Sequence, residues 1–381
     1  MKRIFALIFA IVFCTAFFTG CAESGYTEGL GNGWEPVDSL KLDYATQFAI
    51  DYYEGGFKLI TLADKSRFFI VPEGSQAPKG ISRDITILRQ PLENIYLAAT
   101  AAMCHIDALD ALDSIKLSGS KAESWYVENA RRAMEEGKIL YAGKYSEPDY
   151  EMIVSHNCPL AIESTMIAHS SEVKSKLEQL GIPVFIDQSS NEGHPLGRTE
   201  WVKLYGALFN KEKEAEELFD EQKAYVSAEN LAGADMSVVF FSINSSGMAV
   251  VRRPGDYLSK MMKIAGGRYV FENMATDDSR SSTMTLEMES FFASARDADC
   301  ILYNSTIGGE IYTIDEMVEK NPVLADFKAV KDNNVWCTSQ NMYQESLRLG
   351  EMIGSFNMIF SGRAYGLSEV PFFHRLYWAT K

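Results

Sequence analysis

A chain of 381 residues with 46% hydrophobic and 23% charged side chains is long enough for two domains and too apolar for a disordered protein. Its formal net charge of −16, without any run of Lys or Arg, excludes phosphate backbones as natural partners, so no nucleic acid is expected. No G-x-G-x-x-G follows a predicted strand, and neither a P-loop, H-E-x-x-H nor G-x-S-x-G occurs. The chain is therefore expected to bind rather than catalyse, and to carry no cofactor of its own.

Lys2 and Arg3 precede an apolar run at 4–18 that closes on Thr19, Gly20 and Cys21. A run of about 15 residues is short of the ~20 that span a bilayer, so residues 1–20 read as a secretion signal. Phe18-Thr19-Gly20-Cys21 resembles the bacterial lipoprotein processing box, with Phe18 in place of the usual aliphatic residue. That resemblance implies cleavage before Cys21, lipid on its thiol and an extracytoplasmic protein held to the cell membrane. Residues 21–40 then form the lipidated end and a glycine-containing tether. Removing the signal leaves 34 basic against 52 acidic residues, which favours a soluble monomer. Cys104, Cys158, Cys300 and Cys337 lie in apolar stretches without C-x-x-C spacing and read as buried thiols; the compartment would also permit a disulfide.

Short β-rich runs at 48–53, 57–63 and 68–71, separated by Glu54-Gly55-Gly56 and Asp64-Lys65-Ser66, predict an antiparallel meander. From residue 85 strands alternate with helices: a strand at 85–88, a helix over 91–112, and a strand at 115–117. Strands at 160–162 and 183–186 flank a helix over 172–180 that Gly181 ends. Such alternation predicts a parallel sheet covered by helices on both faces. Trp201, Leu204, Tyr205 and Leu208 recur at helical spacing before Asn210, a residue suited to a left-handed stop. A second helix over 211–230, with Ala215, Leu218, Phe219 and Gln222 on one face, would reach about 30 Å and could bridge two bodies. The alternating pattern resumes at 237–243 and 249–252. It continues with a helix over 256–265, a helix near 286–295, a strand at 300–303, a helix at 326–331, a strand at 335–337 and a long helix from Tyr343.

Several segments are similar to the iron-siderophore, haem and cobalamin substrate-binding proteins of ABC importers. Pro148-Asp149-Tyr150-Glu151-Met152-Ile153-Val154 leads into Cys158-Pro159-Leu160-Ala161-Ile162, although Leu160 replaces the family's Asp. Leu177 to Ile186, LEQLGIPVFI, resembles its helix, Gly-Ile-Pro and strand; Asn210 to Leu218 resembles the start of its lobe-linking helix. Residues 288–303 and 321–336 are similar to its closing strand and helix units. The resemblance implies an α/β fold of two Rossmann-like lobes joined by a single long backbone helix, here with an N-terminal β meander. The lobes would be 41–210 and 231–381, with the helix at 211–230. A stiff helical link implies a small closure on binding.

The family's partners would be an ABC permease and its ATPase. The resemblance places permease-docking glutamates at Glu151 and at Glu289 or Glu287, although a helix dipole alone favours Glu at all three positions. Ligands in open α/β lobes bind at the carboxyl ends of strands. The candidates are then Arg89, Trp125, Tyr126, Glu163, Ser164, His194 and Arg198 in the first lobe, and Asn244, Arg252, Arg253, Asn304 and Tyr343 in the second. Arginines suit an anionic metal chelate such as a ferric siderophore, and aromatic faces suit flat catecholate, porphyrin or corrin surfaces. A corrinoid or haem ligand is the alternative within the class, with His194 or a Tyr as axial ligand of a haem. A bare Zn or Mn receptor needs ligands from both lobes, yet of the five histidines, His105, His156, His169, His194 and His374, only His374 falls in the second. His105 reads as a satisfied core or edge histidine. An anchored interaction module is the remaining alternative.

Overall fold

The computed structural model describes residues 30, 33–227, 229–231, 233–274, 281–306 and 308–379; the signal, Cys21 and most of the tether lie outside the described residues. The predicted meander forms, with one extra strand at each end. β1 (Asp38–Ser39), β2 (Phe48–Tyr53), β3 (Phe57–Leu62) and β4 (Arg67–Val71) are antiparallel neighbours, and β5 (Ile85–Arg89) joins β4 in parallel. β3 and β4 are buried at every position because both faces are covered. On one face Phe48 packs edge-on to Trp201, and Phe68 lies against Phe185 of the first lobe. On the other, Tyr53, Phe57, Leu59, Phe69 and Val71 form a satellite core with Leu30 and Ile85.

Two expectations fail here. The strand at 85–88 belongs to the meander sheet rather than opening the lobe, and the helix over 91–112 breaks up. Gln90–Pro91 is cis and Asn94 adopts φ 59°, so the chain turns and runs out as β6 (Ile95–Leu97). Only α1 (Thr100–Ala108) remains helical. β6 is the central strand of the first lobe. β7 (Ile115–Ser118), α2 (Glu128–Glu135) and β8 (Leu140–Tyr141) follow, then a two-residue hairpin, β9 (Gly143–Lys144) with β10 (Glu147–Pro148). α3 (Tyr150–Ser155), β11 (Ala161–Ser164), α4 (Ser171–Gln179) and β12 (Val184–Asp187) complete the lobe. The sheet order β12-β11-β6-β7-β8 is parallel throughout.

α5 (Pro195–Phe209) is almost wholly buried, and Asn210 ends it in the left-handed conformation with φ 57° and ψ 43°, as its sequence implied. α6 (Glu212–Tyr225) carries the lobe link. Its Ala215 and Phe219 belong to the first lobe's core, while the Gln222 side-chain carbonyl accepts from the backbone N–H of Glu351 in the second lobe. It is shorter than expected, about 21 Å at the standard rise. The Asn230 amide donates to the carbonyl of Ala224 at 2.7 Å and satisfies one of the helix's last acceptors.

The second lobe comprises β13 (Met236–Ile243), β14 (Ala249–Arg252), α7 (Tyr257–Ile264), β15 (Gly267–Tyr269), β16 (Thr283–Leu286), α8 (Met288–Ala295), β17 (Cys300–Tyr303), α9 (Ile314–Lys320), α10 (Lys328–Lys331), β18 (Val335–Thr338), α11 (Leu349–Phe360), β19 (Glu369–Val370) and β20 (Phe373–Arg375). Its sheet runs β16-β14-β13-β17-β18-β20-β19, with β15 on β13. The long helix expected from Tyr343 begins only at Leu349; residues 340–343 and 346–348 are separate 3-10 turns. That irregular stretch leaves the second lobe and inserts Leu347 into the core of the first. Cys104, Cys158, Cys300 and Cys337 are buried and unpaired. No helix among the described residues is long and apolar enough to cross a membrane.

Candidate functional site

The first turn of α5 faces the second lobe. His194 caps it, its Nδ1 accepting from the Leu196 N–H at 3.1 Å while its ring stacks on Tyr44 at 4.5 Å. Arg198, one turn on, donates from Nη2 to the carbonyl of Ser190 at 2.8 Å. Its guanidinium carbon lies 3.9 Å over the ring of Tyr257, the first residue of α7 in the other lobe. Among the described residues its buried Nε has no hydrogen-bond partner. The Ser190 carbonyl is held in place by its own loop. Asp187, at the end of β12, accepts from Ser189 N at 2.9 Å and from the Tyr205 hydroxyl, and the Ser190 hydroxyl meets that of Thr165 at 3.1 Å.

From the second lobe Arg252 converges on the same place. Its Nη2 donates to the Tyr343 hydroxyl, its Nη1 lies 3.3 Å from Ser282 Oγ and 3.9 Å from Asp256 Oδ2, and Tyr343 in turn reaches Asn304 Oδ1 at 3.5 Å. The Asn304 oxygen is oriented by Thr306, whose N–H and hydroxyl donate to it at 3.2 and 2.7 Å. Burial pushes the Asp256 carboxyl above its usual range, and Arg252 opposes that rise. Desolvation likewise raises the phenols of Tyr257 and Tyr343, so both stay neutral donors at physiological pH. Two arginines, one from each lobe, thus stand within one aromatic cluster.

The cluster is bracketed by direct contacts between the lobes. On one flank the Tyr126 N–H donates to Gln344 Oε1 at 2.8 Å, the Gln344 amide donates to the Ser124 carbonyl at 2.7 Å, and the Tyr126 hydroxyl meets Gln340. On the other, Lys260 Nζ donates to the Gly193 carbonyl at 2.7 Å and Thr199 Oγ1 to the Ser346 carbonyl at 3.1 Å.

Of the sequence candidates, Arg198, Arg252, Asn304 and Tyr343 come together, Tyr126 stands at their rim and His194 caps the turn that carries Arg198. The remaining ones fall elsewhere. Arg89 ends a strand of the meander sheet; its neighbour Gln90 hydrogen-bonds the carboxyl end of α5, about 15 Å along the helix from Arg198. Trp125 is 1% exposed, its indole N–H donating to Ser118 Oγ at 3.1 Å, so it is a core residue rather than a ligand platform. Glu163 is fully buried beside Tyr96 without a hydrogen-bond partner, and burial pushes its carboxyl up to about 8. Ser164 caps the turn at 165–170 through Met166 N. Asn244 closes its own hairpin by accepting from Ser246 and Met248, and Arg253 Nε donates to the Thr283 carbonyl. Glu151, Glu287 and Glu289 are all exposed at helix starts, Glu151 on the first lobe and the other two on the second.

His105 is buried in the core but unsatisfied: it stacks on Tyr205 at 5.7 Å, neither ring nitrogen has a protein partner, and burial lowers its pKa to about 3. Among the described residues no three His, Cys, Asp or Glu side chains are grouped so as to hold a metal ion. Sequence reasoning missed Tyr257 and Asp256, whose only signal was the N-cap before an apolar run, and Gln344, which no motif marks.

The family model described as periplasmic binding protein matches residues 104–341, more than half of the chain. The chain belongs to that family. Two uncharacterized lipoproteins of Methanocaldococcus jannaschii are similar to this periplasmic binding protein. One is 24% identical, covering 98% of this chain and 96% of the relative, and the other 23% identical, covering 99% and 100%. Among solved structures, a periplasmic binding protein from Veillonella parvula superposes with a TM-score of 0.57 at 18% identity, over 71% of this chain and 92% of its own. The periplasmic heme binding protein HutB of Vibrio cholerae gives 0.56 at 17% identity, over 69% and 97%. An ABC transporter substrate-binding protein from Listeria monocytogenes gives 0.52 at 18% identity, over 71% and 99%. These likenesses establish the shared two-lobed fold, and the family match makes the chain a binding protein rather than an enzyme.

Proposed function

We propose that this periplasmic binding protein captures an anionic metal chelate, an iron–siderophore complex, between its lobes and delivers it to an ABC permease powered by its ATPase. Lipid on Cys21 would hold it to the outer face of the cell membrane as a monomer. Glu151 on one lobe and Glu289 or Glu287 on the other would orient it on the permease. The observation that carries the ligand class is Arg198: it is fixed by Ser190 and Tyr257, yet keeps a buried Nε–H without an acceptor. A desolvated donor of that kind is costly unless a ligand oxygen completes it. Arg252 adds a second positive charge from the facing lobe. The haem alternative has less behind it, because the imidazole of His194 is engaged as a helix cap and stacked on Tyr44.

Quenching of the intrinsic tryptophan fluorescence against ferric siderophores, haem and cobalamin tests the reading. The expected result is tightest binding to an anionic ferric chelate, weakened about 10- to 100-fold by Arg198→Gln or Arg252→Gln and by added salt. Binding of haem or cobalamin alone, or chelate affinity unchanged in the double variant, would remove it.

A further inference from the structure

The second lobe carries a separate cavity of about 870 Å³ beside its edge strands β19 and β20, lined by Glu310, Tyr312, Glu369, His374, Arg375 and Tyr377 among others. Tyr312 is 63% exposed, yet it is held at three points. Its N–H donates to Glu316 at 2.6 Å, its hydroxyl donates to Glu310 Oε2 at 2.8 Å, and one ring face stacks on His374 at 4.9 Å. His374 is itself fixed by the Ile311 carbonyl at 2.7 Å. An exposed tyrosine normally samples several rotamers; this one presents its opposite face at no further entropic cost. Donation to a carboxylate also makes the ring richer in electrons. Tyr377 is pinned through its backbone, its carbonyl accepting from Ile314 N at 2.9 Å, and is 46% exposed.

The charged groups around these rings are two carboxylates, Glu310 and Glu369, to one guanidinium, Arg375. Arg375 is engaged: Nε and Nη2 both donate to the Asn333 carbonyl, at 3.0 and 2.7 Å, and its guanidinium lies between Trp336 and Tyr377 at 5.7 and 5.8 Å. Glu369 is exposed and, among the described residues, has no hydrogen-bond or ion-pair partner, and the Glu310 carboxylate accepts from Tyr312 and from Gln340 N at 2.7 Å. Fixed aromatic faces beside two carboxylates, with the one neighbouring guanidinium held to a backbone carbonyl and stacked on Trp336, are surroundings that attract a poorly hydrated positive group. We propose that this cavity binds an organic cation, an amine or quaternary ammonium group seated on the open faces of Tyr312 and Tyr377 and balanced by Glu310 and Glu369. The site is opposite in sign to the arginine pair of the cleft and independent of it.

Calorimetric titration of the intact protein with choline chloride, beside its uncharged isostere 3,3-dimethyl-1-butanol, tests this. The expected outcome is saturable binding of choline and at least about tenfold weaker binding of the alcohol. Tyr312→Ala and Tyr377→Ala should each weaken choline by about fivefold or more, and Glu369→Gln by about two- to threefold. Tyr312→Phe, which keeps the face and removes the bond to Glu310, should fall between. Because Tyr312 and Tyr377 are exposed, unchanged melting temperatures will show that these variants fold. Binding retained in Arg198→Gln separates this site from the cleft. Equal affinity for the alcohol, no saturable binding, or choline binding undiminished in the double tyrosine variant would overturn the assignment.

Discussion

The two lobes reach a shared cleft by different constructions. The second is self-contained: its parallel core strands are flanked by antiparallel pairs, β14 with β16 and β20 with β19, and its cleft side chains Arg252, Tyr343 and Asn304 brace one another. The first is a composite. Its parallel sheet has strands of two to four residues and relies on a second sheet, contributed by residues 38–89, packed against α5. Two buried carboxylates fasten that sheet. Glu200 of α5 accepts from the N–H groups of Asp43, Tyr44 and Ala45, each at 2.8 Å, and Glu192 accepts from Thr46 at 2.8 Å, Gln47 at 3.1 Å and the Trp201 indole at 2.9 Å. The helix that displays Arg198 to the cleft is thus the one that receives the brace. A parallel sheet must be covered on both faces, and here the covering layer also braces the helix that carries Arg198.

The strongest way to break this contrast is Glu200→Ala. It strands three backbone donors and removes a partner from buried Lys203, 3.4 Å away, so a loss of about 3–5 kcal/mol is expected in urea unfolding, falling on the first lobe alone. A single transition lowered uniformly for both lobes would argue against separate constructions.

The second test is pH. The Glu163 carboxyl is raised to about 8 by burial, so the native state holds a proton that the unfolded chain releases near 4.5. Stability should fall as pH rises through that window, by up to about 4 kcal/mol, with the cost fully in place above pH 8. Calorimetric melting at pH 5 and 9 should show the slope, and Glu163→Gln should flatten it. Gly350→Ala probes the link between the halves, since a Cβ there would lie 2.0 Å from the Gln222 carbonyl oxygen of α6. A loss of about 1–3 kcal/mol is expected, with a changed interlobe distance by scattering. The smallest effect should come from Gln344→Ala, which deletes both amide contacts to residues 124–126; ligand affinity should drop about two- to fivefold. No change would mean that this flank does not help close the cleft.

Much of the fold was readable because it rests on local signals. Alternating apolar runs gave most of the strands, Asn210 marked the end of α5, and the stripe through Ala215, Phe219 and Gln222 gave the bridging helix. Arg198, Arg252, Asn304 and Tyr343 were named because loops after strands converge in open α/β lobes, and the structure brings these four side chains together. Trp125, in the loop beyond β7, and Glu163, within β11, turn into the core instead, because side-chain direction decides between cleft and core and periodicity over three or four residues does not fix it.

The sequence by itself determined the two-lobed α/β fold of a binding protein, since periodicity and stop residues each act over a few neighbours. Only the tertiary structure decided that residues 85–89 leave the lobe for the meander, that Leu347 crosses into the opposite core, and that Tyr257 meets Arg198. Those outcomes depend on which distant surfaces bury each other, and that is a property of the packed chain rather than of any one segment.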